Sequence, residues 1–263
     1  GCPSRASGAG SATIGLVLSM LAIRIVYLIW FCPYDLAPDE AHYWEWSRHL
    51  DLSYYTKGPG VAWLIDTSTA LFGVSEWAVR LPVAVMAAIA ALVLASLATR
   101  INGGDERTGF WAAAVFSFAP FFFSSSQFMT IDGPYVAFWI LTCYMAWRVV
   151  EKIDRRKPAT MEWIGMAFCM GLGFLCKYTI LLLAPGLLVF FIIHSKAKRC
   201  APAWFDILLA CLVFLVVISP VIIWNQRYGW PTLAHLLGHA HVPGGDYKSS
   251  NAWYYDPRWT LNY

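Results

Sequence analysis

Charge is scarce in this sequence. Of 263 residues only 13% are Asp, Glu, Lys or Arg, whereas 59% are hydrophobic and the mean hydropathy is +0.54. Soluble domains carry about a quarter charged residues, so an ordinary water-facing globule is excluded. The formal net charge is +3 and no long basic tract occurs, which removes the electrostatic footprint of a nucleic-acid binder. CxxC pairs, Cys/His ligand spacings and HExxH are all missing, so no zinc motif is present. Cys143, Cys169, Cys176 and Cys211 fall in apolar stretches, where a thiol packs as a small hydrophobe rather than forming a disulfide framework. Internal repeats and low-complexity tracts are also lacking.

Long apolar runs are what the sequence does contain. A bilayer-spanning helix takes about 20 apolar residues, and about seven segments approach that pattern: 11–31, 77–98, 109–124, 135–150, 161–175, 180–193 and 205–224. The first is too long for a signal h-region and lacks a small-residue cleavage site, so it reads as a retained span. Arg24 interrupts it and is expected to pair inside the bundle. The fold class is therefore all-α, a polytopic membrane protein. Residues 1–224 form the transmembrane module, and 225–263 an external aromatic and polar segment. The chain opens at Gly1 without a methionine, so a native N-terminus further upstream is expected.

The longest polar interval of the first half, 37–63, reads APDEAHYWEWSRHLDLSYYTKGPGVAW. Pro38 followed by Asp39 and Glu40 has the form of a helix start, with acids in the first turn. A helix from there to about Leu50 puts Asp39, His42, Tyr43 and Trp46 on one face, with Glu40, Trp44 and Ser47 beside them. Its density of Trp and Tyr suits a helix lying in the membrane interface. Lys57-Gly58-Pro59-Gly60 predicts a turn, and 61–72 a short apolar helix.

Lysine and arginine sort the loops. Arg107, then Lys152, Arg155, Arg156 and Lys157, then Lys196, Lys198 and Arg199 occupy alternate connections. The connection at 126–134 has neither residue type, and that at 176–179 has only Lys177. The positive-inside rule puts the N-terminus in the cytoplasm and Asp39, Asp132, Lys177 and the C-terminal segment outside.

Three groups on that outer side could carry chemistry. Asp39 and Glu40 are either decoration of a helix start or a general base, since a carboxylate near a low-dielectric surface can have a raised pKa. Adjacent helical residues point about 100° apart, so only one of the two faces a given site. Asp132, in FMTIDGP, either caps the next helix or converges with Asp39 on one cavity. Lys57, Arg80 and Lys177 either snorkel to headgroups or hold a phosphate. His235, His239 and His241, in TLAHLLGHAH, include the i, i+4 spacing of a metal pair, but Gly238 weakens the helix and a polar interfacial loop is the expectation.

Four stretches, DEAHYWEWSRHLDLSYYTKGPGVAWLI, FMTIDGPYVAFW, GLGFLCKYTILLLAPG and PVIIWNQRYGWPTLAHLLG, together resemble the GT-C glycosyltransferase superfamily. They are most similar to bacterial family 39, the protein mannosyltransferase and aminoarabinose transferase-like enzymes. The resemblance implies an integral membrane enzyme that moves a sugar from a polyprenyl-phosphate donor at the external face. It implies Asp39 as catalytic base with Glu40 beside it, and a second aspartate at Asp132; in the expected site Asp132 and Glu40 are further catalytic carboxylates that orient the acceptor or hold a cation. Lys57 and Lys177 would be donor-phosphate contacts. Beside what the resemblance implies, His42, Tyr43, Tyr55 and Arg80 are expected as further substrate-binding residues of the same outer side. Thr56 stands where the aminoarabinose transferases carry an acidic metal-binding residue, so no metal site or cofactor is expected, although a divalent cation is compatible with the chemistry. Family members continue into further spans, so this chain is expected to be a fragment or a reduced module.

The expected reaction is an inverting transfer, with Asp39 taking the acceptor proton and Lys57 and Lys177 stabilising the leaving phosphate. The expected location is the inner membrane, with the active face in the periplasm; sugar and acceptor are left open. One rival is an inactive fragment of such an enzyme; the other is a transporter or flippase of lipid-linked substrates, which calls for polar residues at mid-membrane. Here they gather at one face.

Overall fold

The computed structural model describes residues 6–198 and 204–239, with side chains for 8–194 and 204–238. Every regular element among the described residues is helical. The first is α1 (Ala6–Val26), whose last turn runs into a π-helical stretch at Tyr27–Phe31. Two short helices follow, α2 (Pro38–Arg48) and α3 (Gly60–Phe72). Then come α4 (Glu76–Ile101), α5 (Glu106–Phe118), α6 (Pro120–Ser125), α7 (Asp132–Asp154) and α8 (Thr160–Cys176). A 3-10 turn at Tyr178–Leu182 leads into α9 (Leu183–Lys198), α10 (Trp204–Tyr228) and α11 (Pro231–His239).

Among the described residues three helical stretches are long and apolar enough to cross a membrane: Gly8–Phe31, Glu76–Ile101 and Trp204–Tyr228. Gly60–Phe72, Thr160–Cys176 and Tyr178–His194 are shorter apolar helices. Large apolar side chains stand outward along α1 (Ile14, Leu18, Ile23) and α10 (Leu208, Leu212, Val216). Water does not favour such continuous apolar faces, and lipid does. The continuous third segment expected at 109–124 is broken. The N–H of Pro120 is missing and its ring disfavours a helical Ala119, which is extended here at ψ 128° and separates α5 from α6.

Helix α4 runs through the middle, packed against α1, α5 and α7, while α8 packs between α7 and α10. Small residues make the close approach feasible: Ala88, Ala91 and Ala95 of α4 meet Val17, Ala113, Phe116 and Ala137 in one buried cluster. The helix ends fall into two sets. At one, the Gly10 N–H donates to Glu106 Oε2 at 3.0 Å, and Arg100 pairs with Glu151 at 2.9 Å. Arg148 and Lys152 both approach Glu162 there. At the other end, α2 and α3 pack over a cluster of Tyr43, Val61, Ile65, Val79, Val83, Met129, Ile131 and Cys176.

Candidate active site

That second end holds the polar residues singled out by the sequence. Helix α2 starts at Pro38, whose missing N–H costs nothing in a first turn. The Ala37 N–H donates to Glu40 Oε2 at 3.0 Å, closing the turn. The buried face of α2 is Glu40, Tyr43 and Ser47, at the i, i+3, i+7 spacing of one helical stripe.

Register therefore separates the two adjacent acids. Glu40 is fully buried and bound from three directions. Arg80 of α4, 1% exposed, donates from Nε to Oε1 at 3.0 Å and from Nη2 to Oε2 at 2.8 Å. The Met129 N–H donates to Oε1 at 2.8 Å. With the Ala37 contact the lone pairs are filled, so Glu40 is placed as the electrostatic tie between α2, α4 and the 126–131 link, away from solvent. Arg80 spends its other donors on the Tyr34 and Asp35 carbonyls, at 3.1 and 2.8 Å, and on Cys32 Sγ. A buried pair of this kind holds only when the remaining donors and acceptors are met, and here they are.

Asp39 points the other way. It is exposed and makes no hydrogen bond or ion pair with the described residues. It lines an open cavity of about 560 Å³ with Ala37, Pro38, Phe121, Ser125, Phe128 and Thr130. Asp132 opens α7 two residues beyond Thr130, at a helix N-terminus that favours a carboxylate. Its Oδ1 meets Lys177 Nζ at 2.5 Å, and that ammonium lies 5.4 Å from the Tyr135 ring centre. The Tyr43 phenol beside them is pushed up to about 12, mainly by burial and further by the charges of Asp39 and Asp132.

Lys57 reaches the same end through a backbone contact. A Cβ on Gly58 would fall inside the Leu175 carbonyl, and one on Gly60 would strike Cys176 Sγ and the Leu175 backbone. Glycine at both positions lets the turn lie flat on the end of α8, two residues before Lys177. Ser53 Oγ donates to the Lys57 carbonyl at 3.3 Å and the Tyr54 N–H donates to it at 3.1 Å. The Lys57 ammonium, half-buried, has no partner among the described residues.

The remaining candidates are more peripheral. His42 is exposed, with its ring 4.4 Å from Trp46. Tyr55 is exposed and sits 5.1 Å from His235 of α11; the His239 side chain and His241 lie outside the described residues. The loop is further tied to α10 and α11 by Trp224 Nε1 donating to Asp51 Oδ2 at 2.7 Å and by Thr232 Oγ1 donating to the Tyr54 carbonyl at 3.4 Å. Among the described residues no group of three His, Cys, Asp or Glu side chains could hold a metal ion. Sequence reasoning missed Met129 and Ala37, which contribute through backbone N–H groups that no side-chain pattern reveals.

The family model for dolichyl-phosphate-mannose-protein mannosyltransferase matches residues 56–224. The lipid A galacturonosyltransferase RgtD of Rhizobium johnstonii is 33% identical over 86% of this chain and 46% of its own length. An undecaprenyl phosphate-α-4-amino-4-deoxy-L-arabinose arabinosyl transferase of Sodalis glossinidius is 26% identical over 77% of this chain and 38% of its own. One from Pseudomonas paraeruginosa is 25% identical over 90% of this chain and 46% of its own. The chain thus spans less than half the length of these curated relatives. No solved structure matches it.

Proposed function

The chain belongs to the dolichyl-phosphate-mannose-protein mannosyltransferase family, and from that premise we propose that it transfers a sugar from a polyprenyl-phosphate donor to an acceptor, with inversion at the anomeric carbon. The observation that carries the reading is Asp39: a carboxylate unpaired among the described residues, at the wall of a cavity, on the end where Asp132, Lys177 and Lys57 also gather. The names of the relatives, which act on undecaprenyl-phosphate sugars or on lipid A, support a lipid-linked donor and a glycolipid acceptor.

In the proposed step the acceptor hydroxyl gives its proton to Asp39 as its oxygen bonds to the anomeric carbon. The bond from that carbon to the phosphate oxygen breaks, and the polyprenyl phosphate leaves with the electron pair. Lys57, without a partner among the described residues, meets the charge growing on the phosphate. Lys177 is held by Asp132 and contributes a paired, oriented ammonium whose partner can also accept from a sugar hydroxyl. Glu40 and Arg80 position α2 and do not touch substrate. No metal is required, because the lysines supply the positive charge.

About seven membrane passages, α2 lying in the interface, an inner-membrane location and a periplasmic active end complete the proposal. Their support is the sorting of basic residues, with Arg100, Arg107, Arg148 and Lys152 at the end opposite Asp39. The decisive experiment is Asp39→Asn in the intact protein, reconstituted with a series of polyprenyl-phosphate sugars. Transfer should fall at least about 100-fold, the scale of a lost general base, with membrane insertion and melting temperature unchanged. Near-wild-type turnover would overturn the assignment.

A further inference from the structure

Arg24 was expected to find a partner within the bundle, and among the described residues it finds none. It is 4% exposed, its Nε is buried without a hydrogen bond among the described residues, and its guanidinium carbon lies 5.8 Å from the centre of the Phe123 ring. The guanidinium lines an apolar cavity of about 380 Å³ between the end of α1 and the 123–128 segment, together with Tyr27, Phe128, Arg80 and Gln127. Arg80 is already neutralised by Glu40. Among the described residues no carboxylate lines the cavity. Gln127 Oε1 is a second buried polar atom there without a partner. An isolated buried charge is strongly unfavourable, so this cavity calls for an anion carrying its own hydroxyl or protonated oxygen for Gln127.

We propose that the cavity formed by Arg24 and Gln127 is a binding site for the phosphate group of a membrane amphiphile. The surroundings suit such a ligand. Ile23, Trp30 and Phe31 on one side and Phe121 on the other are apolar and outward-facing, which gives a hydrocarbon tail a path along the protein surface. The stretch at Tyr27–Phe31 is π-helical, a local widening often found at functional positions. Ser124 and Phe128 are shared with the cavity that holds Asp39, so a headgroup bound here lies next to the proposed reaction chamber. Two sources offer this chemistry, a polyprenyl phosphate and a bulk anionic phospholipid. The site does not depend on sugar transfer, and its test reads binding.

The intact protein, delipidated in detergent, is titrated with undecaprenyl phosphate, dioleoyl phosphatidic acid or dioleoyl phosphatidylcholine, and bound lipid is counted by native mass spectrometry. An anionic lipid should bind at least tenfold more weakly to Arg24→Gln, with Arg24→Lys in between. A preference for undecaprenyl phosphate over phosphatidic acid identifies the carrier as ligand, and equal affinity identifies bulk phospholipid. Equal binding to wild type and Arg24→Gln for both anionic lipids overturns the site. Arg24→Met supplies the second measurement. Without lipid it should melt at or above wild type, and undecaprenyl phosphate or phosphatidic acid should raise the melting temperature of wild type alone. A variant that fails to fold, or melts lower without lipid, shows that the guanidinium serves a protein partner and overturns the proposal.

Discussion

Glu40 and Arg80, forty positions apart, grip each other through three hydrogen bonds of 2.8, 3.0 and 3.2 Å in a site closed to solvent. The same carboxylate accepts from the Met129 backbone, so three separate parts of the chain are fixed by one side chain. Removing one partner leaves the other charged, buried and unpaired. Glu40→Gln should therefore cost about 3–5 kcal/mol, read as a fall in melting temperature in detergent. The double variant Glu40→Leu with Arg80→Met should lose less than the sum of the single changes. An additive double-mutant cycle would count against the coupling.

The contact of Gly58 with the end of α8 is equally specific. Gly58→Ala must push the turn off the Leu175 carbonyl, since backbone cannot yield as a side-chain tip does. A destabilisation of about 1–3 kcal/mol is expected, as for overpacking generally, with a larger loss in transfer because Lys57 moves with the turn. A Gly58→Ala protein with unchanged stability and unchanged turnover would refute the role given to this contact.

The lysines should separate in kinetics. Lys57→Met removes an ammonium with no partner among the described residues, so its effect should appear mainly in kcat, on the order of 100-fold, with stability preserved. Lys177→Met also strands Asp132. Combining it with Asp132→Asn should therefore be milder than the product of the single effects, measured as kcat/KM in a double-mutant cycle.

Tyr43 allows a prediction about pH. Burial, reinforced by the Asp39 and Asp132 charges, lifts its phenol to about 12, above the unfolded value of about 10. The folded state thus holds this proton more tightly. Its stabilising contribution is complete below pH about 10 and is lost as pH climbs through about 12. Across the physiological range Tyr43 remains a neutral hydrogen-bond donor. Difference absorbance of tyrosinate between wild type and Tyr43→Phe should show that one phenol titrating late, and a Tyr43 transition near 10 would contradict the burial argument.

Much of the helical layout was legible beforehand. Hydropathy marked α4 and α10 to within a few residues, and the Pro38-Asp39-Glu40 sequence marked the start of α2. The Lys-Gly-Pro-Gly turn and the short apolar helix after it were readable from composition, since glycine and proline act through their own backbone. The break at Pro120 was missed although its signal, an Ala-Pro step within a hydrophobic run, was present. Hydropathy also suggested about seven apolar segments, of which three helices reach full spanning length among the described residues.

The stretch around Asp39 shows where such reading ends. By itself the sequence determined that an acidic helix start lies at one end of an apolar bundle, because turn chemistry and hydropathy are local properties of consecutive residues. Only the tertiary structure decided which acid is which. Asp39 and Glu40 differ by about 100° of helix rotation, and that rotation is fixed by Arg80 and the Met129 amide, contacts 40 and 89 positions away. Likewise no local pattern states that the Lys57 turn lies against the end of α8, or that Arg24 faces an apolar cavity. Those outcomes are set by packing between distant segments, where burial makes each unmatched charge or added methyl decisive.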